Sequence, residues 1–412
     1  MESKPMHILV SAYACGPNWG SEIGMGWNWV MSISNYCKLT VITELGFKKD
    51  IEEVISELDI KFVPDFHYID IGERGRMLFW KQGSASFYTH YKRWQKKALD
   101  LAKELISKEQ FDIVHQLNMI GYREPGYLWK LDDIPYVIGP VGGYNQFPIS
   151  YFSVLDFRNK LFYLTRNIIN RIQMIFSSRP KKAYKRADYV ILASPTGKEN
   201  VSRHARTNPI IIPETGAHKL PIDYNIKVTD NEKLVLVWVG FITGRKALPI
   251  ALKTIAKSKY KDNLILNIVG DGPSANLYKT MAEQLGLDNV NWLGSVTHKE
   301  AKKLIEASDM LFFTSVLEAT STVVFEALQA NTPVLCHDTC GFGNVIDDSC
   351  GIKIPLENVS NSIEMFSEKI DQLIENPEQL KDLKKGCSER IKDYYWDEKG
   401  KKTYDIYKKC LE

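Results

Sequence analysis

Long apolar runs are missing from this chain. Nothing in its 412 residues approaches the roughly 18–20 apolar residues of a membrane span, and the N-terminus has no signal-peptide pattern. Net charge is also scarce. Fifty-three Lys and Arg against 50 Asp and Glu leave +3, so nothing in the whole molecule demands nucleic acid as a partner. The seven cysteines are an odd number, scattered from Cys15 to Cys410, which argues against a disulfide framework and fits a reducing cytoplasm. Cys336, His337, Asp338, Cys340 and Cys350 have ligand chemistry but no standard zinc spacing, so no metal is expected there. What remains is a soluble globular composition, 44% hydrophobic and 25% charged, on a chain long enough for two domains.

The first half alternates short apolar runs with helical stretches. His7–Val10 reads as an opening strand, followed by glycines at 16, 20, 24 and 26. Neither familiar phosphate motif fits them: a third glycine after Gly24 and Gly26 would fall at Trp29, and a Walker pattern from Gly16 meets Ser21. The loop Gly20-Ser21-Glu22 therefore reads either as a place where a ligand comes close or as a plain tight turn before a helix. Further strands are expected at 39–42, 66–69, 111–114, 136–138, 188–193 and 210–212, with a long helical region at 84–108. His115 and Asn118 lie just past one apolar run, where open α/β sheets place ligand chemistry; Gly142 and Gly143 lie past another. A lone histidine there is equally at home as a buried structural residue.

Residues 219–231 read as a linker, after which the alternation restarts with Leu234–Val239 and Gly240. Arg245 and Lys246 follow, then Leu264–Val269 closed by Gly270-Asp271-Gly272-Pro273. Strands alternating with helices on both sides of a linker predict two parallel-sheet domains with ligand between their strand C-termini. The stretch 314–333 is the most informative. An apolar strand at 310–313 leads to Glu318, Ser321 and Thr322 are good N-cap residues, and Val323–Ala330 reads as a helix carrying Glu326. A helix start suits an anion such as phosphate, and carboxylates on either side of it suit sugar or ribose hydroxyls. Glu326 sits on a helix apolar on most sides, where an unpartnered carboxylate is costly.

Glu318 and Glu326, separated by seven residues and followed by Ala327-Leu328 and Pro333-Val334, resemble the family 4 glycosyltransferases. Supporting pieces are Val239-Gly240 with Arg245-Lys246, Val269–Pro273, and Leu293-Gly294 before Ala307-Ser308-Asp309. The resemblance covers nearly the whole chain. It implies the GT-B fold, an α/β architecture of two Rossmann-like doubly wound domains facing a central cleft. It further implies an acceptor domain at 1–218, a donor domain at 219–396, and a closing helix, 397–412, that crosses back to the first. The activity implied is metal-independent, cofactor-free hexosyl transfer with retention from a UDP- or GDP-linked sugar to a saccharide, of the bacterial polysaccharide-biosynthesis type. Arg245 and Lys246 would hold the diphosphate, Glu326 the ribose, and Glu318 would lie near the transferred sugar. Gly240, Gly270 and 319–322 complete the implied donor site, with His115 orienting donor sugar or acceptor. Gly20, Ser21, Glu22, Asn118, Gly142 and Gly143 are the acceptor or sugar-loop candidates. The family usually has Gly-Phe-Gly after its first glutamate; Ala319-Thr320-Ser321 stands there.

Gly270-Asp271-Gly272-Pro273-Ser274-Ala275 formally matches a dinucleotide fingerprint, but Gly294-Ser295 stands where the ribose-binding acid belongs, which argues against an oxidoreductase. A nucleotide-sugar epimerase or a non-catalytic sugar-nucleotide-binding subunit would share the nucleotide site. Finally, 151–186 carries nine Lys or Arg against the single acid Asp156, interleaved with large apolar residues at helical spacing. Either it packs on the first domain with a solvated basic face, or it lies on an anionic membrane surface, the inner face of the cell membrane, near a lipid-linked acceptor.

Overall fold

The computed structural model describes residues 4–73, 77, 84–220 and 232–412. From 221 onward the expected linker lies outside the described residues. Two compact units form: Met1–Tyr144 with Ile172–Glu214 and Trp396–Glu412, and Asn145–Arg171 with Thr215–Tyr395.

Unit 1 holds seven strands: β1 His7–Ala12, β2 Lys38–Glu44, β3 Asp65–Ile69, β4 Ile113–Asn118, β5 Tyr136–Val141, β6 Tyr189–Leu192 and β7 Ile210–Ile211. They pair in parallel in the order β3-β2-β1-β4-β5-β6-β7. Successive side chains of a strand point to opposite faces, and here both faces are covered. Leu9, Val114 and Ile138 meet Tyr91 and Trp94 of the Ala85–Lys108 helix, while Ile8, Val10 and Ile113 meet Trp29 and Tyr407. This double burial explains why the central strands read as unbroken apolar runs.

The Trp396–Leu411 helix belongs to unit 1 and closes its second face. Trp396 meets Trp29 edge-on at 6.4 Å. The buried Lys399 ammonium lies 5.1 Å and 4.5 Å from these two rings and donates to the carbonyl of Pro213.

Unit 2 has β8 Leu234–Val239, β9 Leu264–Val269, β10 Val290–Gly294, β11 Met310–Phe313, β12 Val334–His337 and β13 Gly351–Ile354. The parallel order is β10-β9-β8-β11-β12-β13. The expected division at 218/219 leaves 145–171 in the first domain; the structure corrects this. Phe147, Tyr151, Val154, Leu155 and Tyr163 join the unit 2 core, and the Tyr151 and Ser362 hydroxyls lie 2.6 Å apart. His337 shares that pocket, 2.9 Å from Ser362 Oγ and edge-on to Tyr151 and Phe366. All seven cysteines are unpaired. No described helix is long and apolar enough to cross a membrane.

Candidate functional site

In unit 2 the strand order reverses direction between β8 and β11, and ligands of open α/β sheets bind beyond the strand C-termini at such a point. The loops after β8 and β11 meet there. The β8 loop ends in a tight turn, Gly244–Lys246, closed by Ala247 in the left-handed region at φ 49°. Thr314 Oγ1 donates to the Lys246 carbonyl at 2.8 Å, and Val316 N–H to the Arg245 carbonyl at 3.0 Å. Both backbones are thereby fixed before any ligand arrives.

The side chains then converge on one carboxylate. Glu318 is ion-paired to Lys246 Nζ at 2.7 Å through one oxygen and to Arg245 through the other. Burial pushes the Glu318 carboxyl up, but the Lys246 and Arg245 cations outweigh it and hold it below the usual carboxylate range. Burial pushes the Lys246 ammonium down, and Glu318 offsets only part of that. Lys246 also lies 4.8 Å from the centre of the Phe313 ring. Asn145 Nδ2 donates to the Glu318 carbonyl at 2.6 Å. Nothing in the sequence marks Asn145, which lies far upstream.

Glu326 projects from the Thr322–Gln329 helix with its side chain 12% exposed, and His298 Nε2 donates to its Oε1 at 2.6 Å. His298 opens the helix His298–Glu306, held by a capping box between Thr297 and Glu300. That box was legible as Thr-x-x-Glu, but a histidine facing the second glutamate was not. Gly240 and Gly270 bring the loops after β8 and β9 backbone to backbone. Gly270 has φ 135°, and a Cβ on it would lie 2.0 Å from the Gly240 carbonyl oxygen.

The helix start departs from expectation. Thr320 is fully buried, so its hydroxyl does not face a ligand. Ser321 makes no side-chain cap and sits at φ 82°, a left-handed value costly for a residue with a Cβ. Ala319 accepts from Gly341 N–H at 2.7 Å, leaving Ser321, half-buried, and Thr322, exposed, as the hydroxyls at this end.

Unit 1 corrects the sequence reading more sharply. His115 is fully buried, with Nε2 2.8 Å from the Gly139 carbonyl and Nδ1 2.6 Å from Tyr407 Oη. The carbonyl can only accept, so Nε2 donates and Nδ1 accepts from Tyr407. Burial pushes this imidazole down to about 4. With both nitrogens spent inside the protein, His115 orients no substrate. Asn118 is likewise buried; its Nδ2 donates to the Ala14 carbonyl at 2.6 Å. Gly142 N–H donates to Ile120 O at 2.6 Å, bracing the loops after β4 and β5, and Gly143 follows at φ 83°. Gly20 and Ser21 are exposed. Glu22 alone keeps chemistry in reserve. One oxygen accepts from Ile120 N–H at 3.4 Å, and the other is buried with no hydrogen-bond partner among the described residues. Burial raises its carboxyl to about 7, with Glu214 adding to the shift and the Ile120 N–H opposing it.

Comparisons with known proteins single out the same half of the chain. Residues 222–390 match the family described as glycosyl transferases group 1. An uncharacterised glycosyltransferase of Methanocaldococcus jannaschii is 28% identical over 203 residues, 47% of this chain and 49% of its own. Lipopolysaccharide glucosyltransferase WaaG of Escherichia coli is 30% identical over 124 residues, 29% of this chain and 32% of its own. The chain thus spans about half or less of the length of these curated relatives. Among solved structures, Anabaena HepE in complex with UDP-glucose superposes with a TM-score of 0.56 at 15% identity, over 97% of this chain and 100% of that one. Residues 222–390 thus resemble the glycosyl transferases group 1, and the two parallel-sheet units have the GT-B fold.

Proposed function

We propose that the protein is a hexosyltransferase that moves a sugar, with retention and without a metal, from a UDP- or GDP-linked donor to a saccharide acceptor. The observation that carries this is the convergence of Arg245 and Lys246 on Glu318 at the unit 2 switch point. Glycosyl transfer builds negative charge on the leaving diphosphate as the sugar becomes cation-like. Two cations already fixed at that point stabilise the transition state more than the ground state. The Glu318 carboxylate now occupies the place of an anion between them. A donor diphosphate would take over both cations and release Glu318 towards the hydroxyls of the transferred sugar. Glu326 would accept from the ribose hydroxyls, with Gly240 and Gly270 allowing the nucleotide close to backbone. Ser321 and Thr322, at the N-terminal end of their helix, would add donors for phosphate.

On the acceptor side, Glu22 with Gly142 and Gly143 replaces His115 in our reading. A carboxyl near neutrality can hydrogen-bond an acceptor hydroxyl in either protonation state. The HepE complex supports a nucleotide-sugar donor, and the name of WaaG supports a glycolipid acceptor in cell-surface polysaccharide synthesis. Such an acceptor would make this a cytoplasmic enzyme working peripherally at a membrane. The test is a panel of nucleotide sugars scored for thermal stabilisation, donor hydrolysis and transfer in the presence of EDTA, with the product's anomeric coupling read by proton NMR. An inverted linkage removes the retaining assignment. Donor isomerised without any acceptor points instead to an epimerase. Tight donor binding with no turnover points to a non-catalytic subunit.

A further inference from the structure

The helix Phe157–Phe176 is built inside out. Phe157, Leu161, Leu164, Ile168, Ile172 and Ile175 recur at three- and four-residue intervals, which puts them on one stripe, and all six are exposed. Phe162, Ile169 and Phe176, at intervals of seven, form a second exposed stripe beside it. Phe157 is 80% and Phe176 76% exposed, values for solvated side chains. The polar residues point the other way. Asn170 is fully buried, Asn167 makes two hydrogen bonds to the Phe147 backbone at 3.1 and 2.7 Å, and Gln173 Oε1 accepts from Arg123 Nε at 2.7 Å. The helix docks on its own protein through Tyr163 and these polar residues, and turns outward a face that is apolar rather than basic alone.

We infer that this outward face inserts into the interfacial layer of an anionic phospholipid bilayer, with the helix axis along the membrane plane. Twenty residues give an apolar strip of about 30 Å, and the helix is not apolar enough to span. Charge selects the occupant. Arg158 and Arg171 flank the stripe on the helix, and Lys182 and Lys185 are exposed on the next helix, Ser178–Arg186. With one acid in the whole of 151–186, a second copy of this face would meet its own charge, whereas acidic headgroups complement it. Three other cations of the segment are held by the protein itself. Arg179 is paired with Glu124, Arg186 donates to the carbonyls of Leu131, Asp132 and Ile134, and Lys181 is bonded to the Ile175 carbonyl. The anchor therefore rests on apolar insertion first and on charge second.

This deepens the proposed glycolipid acceptor, on which its place in the function rests, but its test does not depend on transfer. The full chain is floated with phosphatidylcholine vesicles, with and without phosphatidylglycerol, at low and high salt. The same is done for the variant Leu161→Gln/Ile168→Gln/Ile172→Gln/Ile175→Gln, whose positions are all exposed and whose unfolding temperature should match the wild type. The expected result is binding favoured by phosphatidylglycerol, only partly lost at high salt, and weakened at least ~tenfold in the variant. Nucleotide-induced thermal stabilisation should be equal in both proteins. No wild-type binding to either vesicle overturns the inference, as does unchanged binding by the variant. A dimer that the variant abolishes, with no vesicle binding, overturns it in favour of a second copy. Vesicle binding with no response to any nucleotide sugar leaves this inference standing and removes the proposed function instead.

Discussion

Both units end their central strands in polar residues, yet the two ends use them differently. At the end of β4, His115 and Asn118 spend their hydrogen bonds on Gly139, Tyr407 and Ala14, all within unit 1. Beyond β8 and β11, by contrast, Arg245 and Lys246 pair as ions with Glu318, at the place proposed for the donor diphosphate. A polar residue after an apolar strand therefore locates the working end of a sheet without saying whether that residue works. What separates the two is whether its partners are neutral groups of the fold, as at β4, or ions of opposite sign, as beyond β8 and β11.

The sharpest way to break the comparison is to remove charges from unit 2. Arg245→Ala, Lys246→Ala and Glu326→Ala should each lower transfer per folded molecule by roughly 10–100-fold, as expected for losing a charge-assisted bond of about 1.5–3 kcal/mol. Steady-state kinetics alongside circular dichroism checks this; wild-type rates in folded Glu326→Ala would sink the donor-site assignment. Lys246→Ala should in addition lose roughly 1–3 kcal/mol of stability, because Glu318 keeps only one of its cations.

His115→Phe tests the other side. It should cost on the order of 1–3 kcal/mol in urea unfolding, since Tyr407 and Gly139 lose their partner, while the folded fraction keeps its turnover. His115 has its folded pKa depressed, from 6.5 to about 4. Its contribution to stability is therefore complete above 6.5 and is lost as pH falls towards 4. The wild type should weaken across that window more than the Phe variant does, and parallel curves would contradict the buried neutral imidazole.

How far the sequence reached follows the same division. The central strands and the 318/326 pair were legible because burial on both sheet faces leaves unbroken apolar runs, and because two acids on apolar ground have to be explained. β13 and the helices Val359–Glu375 and Pro377–Arg390 were not anticipated, because their mixed burial leaves no clean run. Asn145 and His298 were invisible for another reason: they reach Glu318 and Glu326 across 173 and 28 positions, and no local pattern encodes such a meeting. The allegiance of 145–171 was hidden likewise, since an apolar residue does not name the core it enters.

His298→Ala sharpens the unit 2 account with a smaller effect. Losing the hydrogen bond that orients Glu326 should raise the donor KM about fivefold with kcat nearly unchanged, as for a net bond of about 1 kcal/mol. A fall in kcat at constant KM would instead give His298 a place in the chemistry. Smallest is Ser321→Gly. Relieving the φ of 82° should raise stability by up to about 1 kcal/mol, partly offset by the freer unfolded chain, whereas Ser321→Val should lower it. Thermal unfolding of the pair decides this, and equal midpoints would mean the backbone there carries no strain.

The hydroxyl that donates to His115 comes from Tyr407, 292 positions later in the chain. On a ribosome, β1 to β7 and all of unit 2 emerge before the helix whose Lys399 meets Trp29 and whose Tyr407 meets the imidazole. Until then, the Ile8 and Val10 face of the first sheet is covered only in part, by Trp29, Val30 and Ile33 of the Ser21–Ser34 helix. Unit 1 must wait, part-assembled, through the synthesis of its neighbour.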